Sequence, residues 1–183
     1  MARGTKLSPK SKYRDCECIL KSVRQAGWST ALSLLLSALV MHPAWAGDVL
    51  RGPARIVDGD TLEIAGERVR LLGIDAPEKA QICQDAEGQG YQCGLAIKDE
   101  LTRQVGSSPI QCKAEARDMY GRNVSKCTAP GTGDLGTWLV SNGYAVAYRQ
   151  YSKEYIALEE SAHAAQKGIW AGSFQNSSSA WHH

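Results

Sequence analysis

Several absences in this 183-residue chain narrow its chemistry before any motif is read. No Gly-x-Ser-x-Gly elbow and no phosphate-binding P-loop occurs, so the local signatures of α/β-type serine hydrolases and P-loop NTPases are missing. His163 is the only histidine between Gly47 and the C-terminal tail and falls inside a helical pattern, which disfavours a hydrolase built on a catalytic histidine. No internal repeat is visible, and no apolar run reaches the roughly 20 residues that cross a bilayer. Bulk positive charge is also lacking: the seven Lys/Arg and two Asp/Glu of residues 1–46 leave 14 against 17 from Gly47 onward, a net −3. A sequence-independent basic glove for nucleic acid is therefore disfavoured, and phosphate chemistry has to come from locally placed cations.

What is present begins with a basic leader. Seven Lys/Arg precede a short apolar run at residues 31–40, and the small-residue pattern Ala44-Trp45-Ala46 follows. That reads as a secretory signal peptide over residues 1–46, with cleavage after Ala46 expected and an uncleaved anchor as the alternative. The remainder has 43% hydrophobic and 22% charged residues chain-wide to draw on, an ordinary globular composition. One domain is expected over residues 47–174, followed by a Ser-rich, flexible tail at 175–183.

Four cysteines, Cys83, Cys93, Cys112 and Cys127, fall in the exported part. An even number in an oxidising compartment favours two disulfides; three pairings are open, and local spacing favours Cys83 with Cys93 and Cys112 with Cys127. The second pair also suits an antiparallel hairpin turning in Asp118-Met119-Tyr120-Gly121, barring a bulge. Zinc competes for the same cysteines, but no Cys-x-x-Cys pair occurs after Gly47.

Runs at Arg55-Ile56-Val57, Thr61–Ile64 and Arg68–Leu72, broken by Asp58-Gly59 and Ala65-Gly66, predict a three-strand meander. Ile97, Leu101 and Val105 recur every fourth residue, predicting a helix that ends near Gly106. Alternation over 110–117 and a return at 122–128 predict a hairpin. Asp134 is the expected N-cap of a short helix, and Tyr155, Leu158, Ala162, Ala165 and Ile169 predict a last helix from about Ser152 to Gly168. Five strands with three helices give an α+β class: an OB-type five-stranded β-barrel with packed helices.

Asp58-Gly59-Asp60-Thr61 reads most simply as a hairpin turn with Gly59 supplying a positive φ. Asp75-Ala76-Pro77-Glu78 ends the third strand, however, and two carboxylates at neighbouring strand ends suit one hard, oxygen-liganded cation with open positions for phosphate. Arg70 and Arg122 bring forked guanidiniums matched to a phosphodiester, with Arg68 and Arg117 as comparison arginines.

Taken in order, Asp58-Gly59-Asp60-Thr61, Arg70-Leu71-Leu72-Gly73-Ile74-Asp75-Ala76-Pro77-Glu78 and Asp118-Met119-Tyr120-Gly121-Arg122 resemble the staphylococcal nuclease (thermonuclease) family over about Arg55 to Trp170. The resemblance implies an OB-type barrel and a Ca2+-dependent endonuclease of relaxed sequence preference, acting on DNA or RNA to give 3′-phosphates. It assigns Asp60, Asp75 and the carbonyl of Ala76 to calcium, Glu78 to the attacking water, Arg70 and Arg122 to the scissile phosphate, and Tyr120 and Tyr148 to substrate, with Tyr151 as the alternative stacking residue. Met119 stands where the founding enzyme has lysine, and Gly143 to Tyr148 is one residue shorter than its counterpart. A monomer in the periplasm or medium, binding nucleic acid and not membrane, is expected. The rival from another class is a noncatalytic OB module that binds a polyanion or protein partner.

Overall fold

The computed structural model describes residues 49–175. The expected leader, and the expected tail past Gln175, lie outside the described residues. Strands β1 (Val49–Gly52), β2 (Ala54–Ile56), β3 (Thr61–Ile64) and β4 (Glu67–Leu71) come first, then β5 (Ile74–Asp75) and the small hairpin of β6 (Cys83–Gln84) and β7 (Gly90–Tyr91). Helix α1 (Cys93–Val105) leads to β8 (Ile110–Arg117), β9 (Asn123–Ala129) and β10 (Gly133–Asp134), then α2 (Leu135–Ser141), β11 (Val146–Ala147) and α3 (Ile156–Ala164).

The main sheet runs β1-β8-β9-β4-β3-β2, with β10 added to β9. Its first and last strands, β1 and β2, are separated in sequence by Pro53 alone. Two edges joined by one residue force the sheet to curl, giving a half-barrel of OB type. The five strands expected from the sequence are β2, β3, β4, β8 and β9. The additions are short pairings, which alternation over two to four residues cannot announce. Inside the curl lie Leu62, Ile64, Val69, Ile110 and Cys112, closed by Ile97, Leu101 and Val105 of α1 and by Leu135 and Leu139 of α2.

The β8–β9 register pairs Cys112 with Cys127, as the hairpin spacing requires, and then slips by a bulge between Ala114 and Ala116. Beyond the bulge the hairpin projects past the core, so Ala116 is exposed although its alternation reads as inward. The last helix is shorter than predicted. Its fully buried residues are Tyr155, Glu159 and Ala162, with Leu158 partly buried against the core and Ala165 exposed, and Gln166 and Gly168 at φ 49° and 56° end it before a 3-10 turn, Gly168–Ala171, that buries Ile169. An apolar pattern has no means of showing that a glutamate occupies the inward position. Among the described residues no helix is long and apolar enough to cross a membrane.

Candidate active site

The β2–β3 turn is both a turn and a site. Thr61 O accepts from Val57 and Asp58 N–H at 2.9 and 3.2 Å, and Asp58 Oδ1 accepts from Asp60 N–H at 3.2 Å. This closes the turn and sends Asp60 inward, where it is buried. Its Oδ2 accepts from the N–H of Ala76 at 3.0 Å, its Oδ1 accepts from the Thr61 hydroxyl at 3.0 Å and pairs with Arg70 Nη1, and Arg70 Nη2 reaches Asp75 Oδ1 at 2.8 Å. One guanidinium therefore bridges two carboxylates that are 15 residues apart in sequence. Burial pushes the Asp60 carboxyl up to about 7; Arg70 and the Ala76 N–H pull it down, while Asp58 and Asp75 add to the rise. Gly59 does not supply the expected positive φ. It supplies room: a Cβ there would stand 2.7 Å from Ala76 Cβ and 3.0 Å from Ile97 Cγ2, so only glycine lets the turn lie against the Asp75–Ala76 segment and α1.

Asp75 is fixed from the other side by β5 pairing with β11, Val146 opposite Asp75 and Ala147 opposite Ile74. The N–H of Ala147 donates to Oε1 of buried Glu159 at 3.1 Å, and Oε2 of Glu159 pairs with Arg149 at 2.5 Å. Glu159 thus anchors the strand that holds Asp75, a role its sequence position in a helical pattern did not signal. Glu78, three residues on, is exposed, and its N–H donates to Gln81 Oε1 at 3.2 Å. Its backbone is pressed by the start of α1, since a Cβ on Gly94 would fall 1.8 Å from the Glu78 carbonyl oxygen. The neighbouring Cys93 is bonded to Cys83 across a Cα–Cα distance of 5.5 Å, so this disulfide holds the helix end that abuts Glu78.

At the β8–β9 hairpin, Asp118 Oδ1 accepts from the N–H groups of Tyr120 and Arg122 at 2.9 Å each, and its Oδ2 accepts from Arg122 Nε at 2.6 Å. Burial alone would raise the Asp118 carboxyl, but the Arg122 side chain and these backbone donors hold it below its usual range. Arg122 sits 5.6 Å from the centroid of the exposed Tyr120 ring. Because β4 and β9 are parallel with Arg70 opposite Val124, Arg122 lies one strand over and two residues back, roughly 8 Å from Arg70 along the backbone lattice. A cavity of about 320 Å³ opens here, lined by Arg68, Arg117, Tyr120 and Arg122 together with Glu67 and Asn123. Arg68 and Arg117 are therefore not neutral comparison arginines, since they share a cavity with Arg122. Tyr148, just after β11, is half-buried; burial, Tyr151 and Asp75 raise its hydroxyl and Arg70 offsets this, so it lies within the field of the Arg70–Asp75 pair. Tyr151 meets it edge to face at 4.8 Å.

The second disulfide, Cys112–Cys127, has a Cα–Cα distance of 4.0 Å. With the Cys83–Cys93 bond, this commits all four cysteine thiols and removes them as zinc ligands. Among the described residues no three His, Cys, Asp or Glu side chains gather as a metal-holding group. A cation between Asp60 and Asp75 would rest on two carboxylates, the Ala76 carbonyl and water. That all-oxygen set suits a hard ion such as calcium, and a buried acid pair already drawn onto one positive group fits it.

A family model described as staphylococcal nuclease homologue matches residues 68–172. The chain is 39% identical over 153 residues to the succinoglycan biosynthesis protein ExoI of Rhizobium meliloti (strain 1021), covering 81% of this chain and 80% of that one. It is 29% identical over 168 residues to the micrococcal nuclease of Shigella flexneri, covering 83% and 89%, and 28% identical over 135 residues to an uncharacterized endonuclease of Escherichia coli O157:H7, covering 70% and 82%. Arg70, Asp75, Glu78, Tyr120, Arg122 and Tyr148 fall inside the family match; Asp60 precedes it and is tied in by Arg70.

Proposed function

The chain belongs to the staphylococcal nuclease family, and on that footing we propose that it is an exported, calcium-dependent endonuclease. Its substrate would be DNA or RNA with little sequence preference, and its products would end in 3′-phosphate. Relatives named nuclease and endonuclease support nuclease activity in general. The observation that carries the finer reading is the single guanidinium of Arg70 spanning buried Asp60 and Asp75, with the exposed residue Glu78 three positions beyond Asp75 in sequence.

Asp60, Asp75 and the carbonyl of Ala76 would hold calcium, which when bound supplies Lewis-acid neutralisation of charge on the phosphate. Arg70 and Arg122 donate to the non-bridging phosphate oxygens and stabilise the charge that grows as phosphorus becomes five-coordinate. Glu78 orients a water and accepts its proton. The water oxygen bonds to phosphorus, the bond to the 5′-oxygen breaks, and that oxygen leaves with a proton, so the phosphate stays on the 3′ side. Tyr120 and Tyr148 contact the strand. The two disulfides agree with an oxidising compartment, and the protein acts as a monomer.

The test is release of nucleotides from single-stranded DNA and from RNA by the purified protein, with calcium and then with excess chelator. Calcium-stimulated turnover that chelator abolishes is expected. Full turnover in chelator, or restoration by zinc alone, overturns the calcium assignment. Tight polyanion binding with no turnover would instead favour the noncatalytic OB module.

A further inference from the structure

Two strands and the turn that joins β8 to β9 deliver three arginines to the hairpin cavity: Arg68 from β4, Arg117 from the end of β8 and Arg122 from the turn just before β9. This concentration runs against the net −3 of the chain from Gly47 onward. Arg122 is engaged by Asp118, but the other two are not neutralised. Arg68 has no carboxylate within 4.0 Å among the described residues, and the residue opposite it across the strands, Glu63, is taken by Arg55 at 2.5 Å. Among the described residues the Arg117 side chain makes one hydrogen bond, to the Gly121 carbonyl at 3.5 Å. The one carboxylate lining the cavity, Glu67, accepts from Asn123 Nδ2 at 2.9 Å. Two exposed guanidiniums with unused donors thus face one space beside a tyrosine, and like charges so placed repel until an anion enters.

The placement also sets a spacing. Arg68 and Arg70 are two residues apart on one strand and so project from the same face, roughly 7 Å apart, about one nucleotide step of an extended strand. We propose that Arg68 and Arg117, with Tyr120, form a second phosphate subsite that binds the uncleaved phosphodiester next to the one held by Arg70 and Arg122. This rests on the nuclease reading and adds to it that the substrate is a strand with at least one flanking phosphate. The cavity, at about 320 Å³, lies at the small end of ligand sites and admits one phosphate with part of its nucleotide.

The experiment compares a single-stranded oligonucleotide with a dinucleoside monophosphate, which carries no flanking phosphate. The proteins are the wild type, Arg68→Ala/Arg117→Ala, and the charge control Arg103→Ala, an exposed helical arginine paired with Glu100. The double variant should lose roughly tenfold of the preference for the oligonucleotide in kcat/KM, carried by KM, while Arg103→Ala keeps it. Its oligonucleotide binding should show a log–log salt slope shallower by about 1.4, at about 0.7 per lost contact on single strands. A preference within about twofold of wild type, or an unchanged slope, overturns the subsite. Should wild type turn over neither substrate, the nuclease reading fails, and the binding slope alone then upholds or overturns the subsite.

Discussion

The two ends of the candidate site bring their charged groups together by opposite means. At the carboxylate end, Asp60, Arg70 and Asp75 arrive from three strand ends and are mostly buried, with side-chain exposures of 4%, 18% and 10%. At the hairpin end, Asp118, Tyr120 and Arg122 lie within five residues, and the ion pair is an i,i+4 contact at 28% and 19% exposure. In the first, removing one group leaves others uncompensated in a medium that penalises charge. In the second, water replaces what is lost. Equal catalytic assignments therefore carry unequal structural costs, and substitutions at four positions test that contrast.

Arg70→Ala should have the largest effect, because it strikes both function and fold. Turnover should fall roughly a hundredfold or more, and chelated protein should lose about 3 kcal/mol in denaturant titration as Asp60 and Asp75 are left without their shared cation. The motif alone gives the two arginines the same expectation, intact folding; for Arg70 the buried bridge changes that. An unchanged unfolding midpoint would mean the acid pair is held by other contacts.

Arg122→Ala should match that loss of turnover, again roughly a hundredfold, while its stability stays within about 0.5 kcal/mol of wild type. If it unfolds as readily as Arg70→Ala, the division between a buried and a solvated end is wrong.

Gly94→Ala comes next. With a Cβ 1.8 Å from the Glu78 carbonyl oxygen, either α1 or the Glu78 backbone has to move, at about 1–3 kcal/mol. Measured well below the melting temperature, kcat should drop roughly tenfold if Glu78 must be prearranged. Wild-type kcat in a folded Gly94→Ala protein would remove Glu78 from the water-activating role.

Glu159 gives the smallest and most selective effect. Glu159→Gln keeps an oxygen for the Ala147 N–H and should stay near wild type, whereas Glu159→Ala frees β11 from α3 and should cost about 1–2 kcal/mol. The same variant should raise the calcium needed for half-maximal activity by roughly threefold, since Asp75 pairs with that strand. Equal calcium response in the two variants would reduce Glu159 to a packing residue.

Much of this was legible in sequence. The meander, the α1 stripe, the Asp134 cap and the Cys112–Cys127 register all depend on neighbours a few residues apart or on one hairpin. Asp134 does accept from Thr137 N–H at 2.7 Å. The candidate site residues stand in the sequence as an ordered set of motifs, at strand ends or in the turns just beyond them, where turn chemistry also leaves a mark. Gly59 and Gly94 were not: one reads as a turn glycine and the other as helix punctuation, while both act by lacking a Cβ against a distant backbone or side chain. Glu159 was missed because a polar residue at an inward helical position interrupts the pattern on which the inference rests. Arg68 and Arg117 read as ordinary surface charge because nothing local tells which three strands will share a corner.

The sequence by itself determined which short segments become strands and helices, where the turns fall, and which residue types can bind a cation or a phosphate. These follow from backbone preference and side-chain period, which act over a few residues. Tertiary structure alone decided that Arg70 bridges Asp60 and Asp75, that α1 bears on Glu78, and that three arginines surround one cavity. Each depends on the curl that joins β1 to β2 and on the parallel β4–β9 pairing. The physical reason is range: burial and Coulomb energies act through space between residues whose separation in sequence carries no record of their distance.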